Sequence, residues 1–343
     1  MQITLGIVTA VFAGSINGLF ALPMKLARKW SWENIWLPFS ILALVIFPPL
    51  FMLPGIPHLG KAYASLDWPT LLIALLWGIA PFSGSLMFGR SIVYIGNALS
   101  FALLVGGMSI VGVLAPLLIY SPVDLHTYGG KWIVFGAILL LGGLALCARA
   151  GRQKAANSEN NVSSRREALL GMALAIAGGA LSGLLALGLN TEWAHRISHA
   201  AWQVGGAQEA LAANAVLILV YIGGAIPNCL YASYLLSSRG TWQDYKHSCL
   251  AYSPIVLLMA IVYAASGVLW GISTSPTMLG RLGPSVGWAL FIGAIAVSSN
   301  IGGFLTGEWK NAGASAKRMM IGGLIVMVAA IGIVGFGNLQ LNK

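Results

Sequence analysis

Acidic side chains are almost missing from this sequence. Its 343 residues hold nine Asp and Glu, and all four charged types together reach only 8%. A soluble globular chain carries about 25% charged residues, so a soluble fold would have too little polar material to coat itself. Cysteine is rare as well. Cys147, Cys229 and Cys249 stand in or beside apolar runs, with no CxxC or metal spacing, which argues against a disulfide framework. No Lys or Arg precedes Lys25. The positive leader of a secretory signal is therefore absent, and residues 3–24 read as a retained first span. HExxH, GxSxG, a P-loop, a strand-to-helix GxGxxG and the paired Asp motifs of membrane transferases are absent too. The chain reads as no enzyme, with no cofactor and no metal.

What is present is hydrophobic: 58% of the residues. Each hydrocarbon crossing takes about 20 mostly apolar residues. Ten such segments run over 3–24, 34–54, 69–91, 97–120, 129–149, 167–190, 209–236, 254–278, 284–306 and 317–338. The eighth has alternative ends, a start near Lys246 and a break at Pro276. The expected class is an all-α membrane protein with ten transmembrane helices.

The formal charge of +10 sits between these runs. It points to lipid headgroups rather than to nucleic acid as the partner. Fourteen of the nineteen Lys and Arg fall in the odd-to-even loops, five on the other side. Cytoplasmic loops carry the excess of Lys and Arg. Both termini are then expected outside, periplasmic for a bacterial inner-membrane protein. "MKLARKWSWENIW", residues 24–36, is the first cytoplasmic turn. Lys25, Arg28 and Lys29 hold it there, Trp30, Trp32 and Trp36 sit at headgroup level, and Glu33 is a local ion-pair partner. "ARAGRQKAANSENNVSSRRE", residues 148–167, reads as a flexible linker. It separates a first half, 1–149, from a second, 167–343, with 150–166 between them.

The halves repeat. A shift of 165 superposes Gly6, Gly14, Gly18 and Leu19 on Gly171, Gly179, Gly183 and Leu184, and Asn17 on Ser182. GxxxG therefore recurs in register, at Gly14/Gly18 and Gly179/Gly183. "LWGI" also occurs twice, at 76–79 and 269–272, and is read as a second repeated position. Five spans per half is an odd number, so the second half is inverted. Inverted repeats are a feature of secondary transporters, with the site near the midplane between the halves.

"KWSWENIW" after span 1, "LWGI" in span 3, "GGAIPN" at 223–228 and "GEWKNAG" at 307–313 resemble the L-rhamnose–proton symporter family, within the drug/metabolite transporter superfamily. The resemblance covers the whole chain. It implies the ten-span fold of that superfamily and an inner-membrane permease importing L-rhamnose or a related sugar with protons. The sparse polar lining in "APFSGS", "STSPT" and "LGPSVGW" keeps an alternative open, a superfamily permease or exporter for another small solute.

A sugar site needs hydroxyl partners and a flat apolar face. Asn17 in span 1 is either a hydrogen-bond partner for a sugar or interhelical glue. Trp77 and Trp270 lie deep in spans 3 and 8, where stacking on a pyranose competes with plain packing. Ser83, Ser273, Thr274, Ser299 and Asn300 join the candidate lining, although Ser and Thr often bond their own helix. For the proton, no acid stands at the centre of a span. Glu192, His195 and Glu209 at the outer ends of spans 6 and 7 are the candidates, read either as a carboxylate desolvated beside the bundle or as a solvated outer-end ion pair. At the cytoplasmic end, Glu308 with Lys25, Arg28 and Lys29 is either a candidate gate latch or a passive topology anchor, with Glu33 in the same turn.

Overall fold

A computed structural model describes residues 2–27, 29–156, 165–307 and 309–343. Among them there is no strand, and ten helices are long and apolar enough to cross a membrane. These spans are Ile3–Met24, Trp32–Gly55, Trp68–Ile95, Leu99–Tyr120, Tyr128–Lys154, Arg166–Gly188, Glu209–Arg239, Leu250–Ser273, Gly283–Leu305 and Ala314–Leu341.

Local chemistry sets several ends. Asp67 caps span 3 by accepting from Thr70 N, and Pro69 sits in the first turn, where its missing N–H is harmless. Gly240, with φ of 70°, closes span 7 in the left-handed conformation that glycine tolerates best. Spans 2 and 4 each contain one π-helical turn, Leu42–Ile46 and Ile110–Leu114. Each turn lies just ahead of proline, Pro48–Pro49 and Pro116. A proline ring crowds the carbonyl four residues back, and a widened turn makes room for it.

The fifth helix stays regular to Ala156, seven residues past its expected end, so the polar stretch 150–166 is partly helical. The eighth starts at Asp244 and ends at Ser273, ahead of a single turn at Pro276–Leu279. Two short helices, Leu59–Ala64 and Glu192–Gln203, lie outside the spans.

Packing follows small residues. Span 5 carries Gly129, Gly136 and Gly143 at seven-residue intervals against Gly323, Met327, Val334 and Gly337 of span 10. A seven-residue repeat gives the close, left-handed pairing of coiled coils. Span 1 packs on spans 8 and 9, span 6 packs on spans 3 and 4, and span 2 crosses span 7. The register is regular too. A β-carbon at Gly14 would lie 2.2 Å from Phe291 O, and one at Gly179 would lie 2.1 Å from Leu104 O. Gly18 meets Ile295 and Ser298, while Gly183 meets Met108 and Val111. The span-4 and span-9 contacts are offset by 187 each time (104 to 291, 108 to 295, 111 to 298). Gly6 touches Leu279 and Gly171 touches Ile95, each just before a positive-φ glycine, Gly280 and Gly96.

Candidate functional site

Spans 1, 2, 3, 7 and 8 converge on a junction walled by aromatic rings. Phe20 stacks on Phe39 at 5.4 Å and meets Tyr263 edge-on at 5.1 Å. Tyr221 lies between Phe82, at 5.3 Å, and Tyr263, at 6.4 Å. Asn228 ties the junction together. Its Oδ1 accepts from Trp36 Nε1 at 2.9 Å and lies 3.4 Å from Ser85 Oγ, and its Nδ2 donates to Phe82 O at 3.2 Å and Gly224 O at 3.0 Å. A carboxamide has about four hydrogen-bond sites, and Asn228 fills three of them with Trp36, Phe82 and Gly224, because Ser85 gives its one proton to Phe82 O at 2.7 Å.

The "GGAIPN" stretch explains the approach of span 3. A β-carbon at Gly223 would fall 1.7 Å from Leu75 O, and one at Gly224 would fall 2.2 Å from the Phe82 ring. Pro227 supplies no N–H for the Gly223 carbonyl.

Three polar groups at this junction are uncommitted. Asn17 Nδ2 donates to Ser266 Oγ at 2.7 Å, and Ser266 passes its own proton to Tyr263 O at 2.6 Å. The Asn17 side-chain oxygen, Oδ1, and the phenol oxygens of Tyr221 and Tyr263 have no hydrogen-bond partner among the described residues. Polar groups inside a membrane bundle normally find partners, and free ones facing an aromatic wall suit a polyhydroxylated ligand.

Most of the other sequence candidates are otherwise engaged. Trp77 Nε1 donates to Leu184 O at 2.8 Å, and the ring sits over Gly188 beside Trp193. Trp77 thus pegs span 3 to span 6. Trp270 packs on Trp288 and Phe291, and its Nε1 is buried without a partner. The two tryptophans are not equivalent positions, contrary to the "LWGI" expectation. Trp77 meets span 6 at Leu184 and Gly188, whose counterparts 165 residues earlier are Leu19 and Pro23. Tyr263 and Ser266 of span 8, not Trp270, lie beside that part of span 1. Ser83, Ser273, Thr274 and Ser299 donate to carbonyls of their own helices, and Asn300 donates to Ala296 O.

Of the two readings of the proton candidates, the exposures favour the solvated one over the desolvated carboxylate. Glu192 and His195 are exposed on the short helix Glu192–Gln203, and Glu209 is half-buried at the start of span 7. Glu192 in a first turn is well placed to face the helix dipole in water.

The gate candidates divide. Arg28 and Glu308 lie outside the described residues, as does the side chain of Lys25, and Lys29 is exposed. Glu33 is fully buried, and its partner is distant in sequence rather than local. Arg239 Nη1 donates to Glu33 Oε2 at 3.0 Å, and Thr241 Oγ1 donates to Oε1 at 3.3 Å. Tyr245 adds a hydrogen bond to Asn34 O at 3.1 Å. This latch closes spans 2, 7 and 8 at the end carrying most of the basic loops. Removing Arg239 strands a buried carboxylate, whereas Glu33→Gln removes the charge with it. Arg239→Ala is expected to cost about 2 kcal/mol, and adding Glu33→Gln should recover most of that. Thermal unfolding of the two single variants and the double checks it.

The opposite end has its own latch. Tyr63 donates to Ala215 O at 2.6 Å, and Arg196 bonds Thr70 Oγ1 at 2.9 Å and pairs with Asp67. The bond from Thr70 Oγ1 is the main reason the Asp67 carboxyl is held below its ordinary 3.8, with Arg196 assisting against some desolvation. A depressed carboxylate adds stability above its unfolded pKa and loses it as pH falls through the folded value. The melting-temperature gap between the natural protein and Asp67→Asn should be full near about pH 5 and shrink toward about pH 3.

Ten apolar helices around a junction of aromatic rings and free hydroxyls, latched by ion pairs at both ends, define a polytopic membrane transporter. The chain belongs to the L-rhamnose-proton symport protein (RhaT) family, whose sequence model matches residues 1–340. Similar proteins include the L-rhamnose-proton symporters of Shigella boydii serotype 18 (strain CDC 3083-94 / BS512) and Escherichia coli (strain SMS-3-5 / SECEC). Each is 26% identical over 349 residues, with 98% of both chains covered.

Tyr221, Tyr263 and Asn228 are not among the residues expected at the site from sequence. A signal was present, since tyrosine, like tryptophan, prefers the membrane interface. Two tyrosines well inside spans 7 and 8 were as notable as the deep tryptophans.

Proposed function

We propose that this protein carries L-rhamnose, or a sugar of the same 6-deoxy class, into the cell together with protons. The observation that carries the reading is the pair of free phenols, Tyr221 and Tyr263, set with Asn17 Oδ1 in an aromatic wall. A 6-deoxyhexose has a methyl group where other hexoses carry a hydroxymethyl, so it needs fewer polar partners and more apolar wall. Family membership and the names of the relatives support the same substrate and coupling.

The transport cycle in this reading is alternating access by two inverted halves, 1–149 and 167–343, joined by 150–166. Paired packing supports it: adding five to each span number turns the contacts of span 1 with 8 and 9 into those of span 6 with 3 and 4. The Glu33–Arg239 and Asp67–Arg196 latches would then open in turn. Glu33, fully buried at one mouth, is held by the ion pair with Arg239 that this cycle would break. The loop charges support a cytoplasmic-membrane location with both termini outside.

The test is uptake of labelled L-rhamnose into cells lacking their own rhamnose permease. Accumulation abolished by a protonophore is expected. Uptake no greater than in vector-only cells, with the protein in the membrane, would overturn the reading.

A further inference from the structure

We propose that a groove between spans 4 and 5, remote from the sugar junction, holds an anionic phospholipid of the surrounding bilayer. The groove has a volume of about 700 Å³. Leu99 and Leu103 of span 4 and Leu141 and Leu144 of span 5 form its apolar walls, and Arg149, Arg152 and Gln153 stand at one end. Ala102 of span 4 and Ala145 and Ala148 of span 5 also line it, and their short side chains leave the trough open. Neighbouring Phe135, Ile138 and Leu146 are exposed on span 5, so this side of the bundle faces lipid.

The charges suit a phosphodiester. Arg149 and Arg152 are three residues apart and share a helix face. Both are exposed, and neither has an acidic partner among the described residues. Lys154, two residues on, is turned to the Trp309 ring, with Nζ 4.8 Å from its centroid. Two unpaired guanidinium groups at the mouth of an apolar trough match a phosphate above acyl chains. Basic pockets between membrane helices recognise anionic lipid headgroups in this way. A zwitterionic lipid offers the same phosphate but brings its own cation up to the two arginines, so a headgroup of net negative charge suits them better.

Purified, delipidated full-length protein would be titrated with phosphatidylglycerol, with phosphatidylcholine of the same chains and with glycerol 3-phosphate. Bound lipid would be read by native mass spectrometry and stability by melting temperature. Phosphatidylglycerol should bind and raise the melting temperature, and the other two should not. Arg149→Gln with Arg152→Gln should weaken its binding roughly 25-fold, about fivefold per arginine. Ala145→Phe should weaken it with the charges intact, by filling the trough. Lys317→Gln with Arg318→Gln, an equal loss of charge on span 10, should leave it unchanged. Three results would overturn the site: equal binding of the two lipids, the same shift from glycerol 3-phosphate, or an equal loss in the span-10 control.

Discussion

Gly223→Val is expected to remove the folded protein from the membrane almost completely. The added β-carbon alone would lie 1.7 Å from Leu75 O, well inside contact distance of a backbone atom that cannot rotate away. The facing surface offers no relief, because a β-carbon at Gly78 would lie 1.9 Å from Val220 O. Spans 3 and 7 are thus in backbone contact at this crossing, and separating them would pull apart the Phe82–Tyr221 pair and the Asn228 bonds. Overpacking a core costs about 1–3 kcal/mol when side chains can adjust, and more when they cannot. Total stabilities lie near 5–15 kcal/mol, so the loss is a large share. Gly142→Ala is the matched control, since nothing lies within 4 Å of its built β-carbon. Fluorescence-detected size exclusion should show a sharp peak for the control and little or none for Gly223→Val.

Tyr221→Phe and Tyr263→Phe are expected to act on transport while leaving the fold alone. Neither phenol oxygen has a hydrogen-bond partner among the described residues, so removing it breaks no bond of the resting protein. Melting temperatures should stay level or rise slightly. A neutral hydrogen bond to a sugar hydroxyl is worth about 0.5–1.5 kcal/mol, so each change should raise the KM for L-rhamnose up to roughly tenfold. The double variant should approach roughly a hundredfold if the two bonds are independent. Asn228→Leu should behave in the opposite way, losing stability first, because it unties Trp36, Phe82 and Gly224 together. Competition uptake alongside melting curves separates the two patterns.

The spans and the glycine seam were legible because both leave long or repeated marks. Twenty apolar residues in a row have few other uses, and Gly14/Gly18 recur in register as Gly179/Gly183. The short helix Glu192–Gln203 left only a weak mark, being brief, polar and amphipathic. "LWGI" misled because four common residues can coincide, and Trp77 and Trp270 ended on different neighbours. The serine and threonine candidates rest on residue type alone, and their protons go to carbonyls three or four residues back in their own helices. That competition is invisible until the side chains are placed. Glu33 was expected to pair within its own turn. Arg239, its partner, is 206 residues away in sequence, a contact that only the crossing of spans 2 and 7 creates.

Proton coupling is the central claim, and the pH outside unbuffered, anaerobic cells tests it most directly. Cells lacking their own rhamnose permease would express the protein and receive a pulse of L-rhamnose. Sugar–proton symport predicts external alkalinisation that is absent with empty vector and abolished by a protonophore. A flat pH trace while labelled L-rhamnose still enters would contradict it.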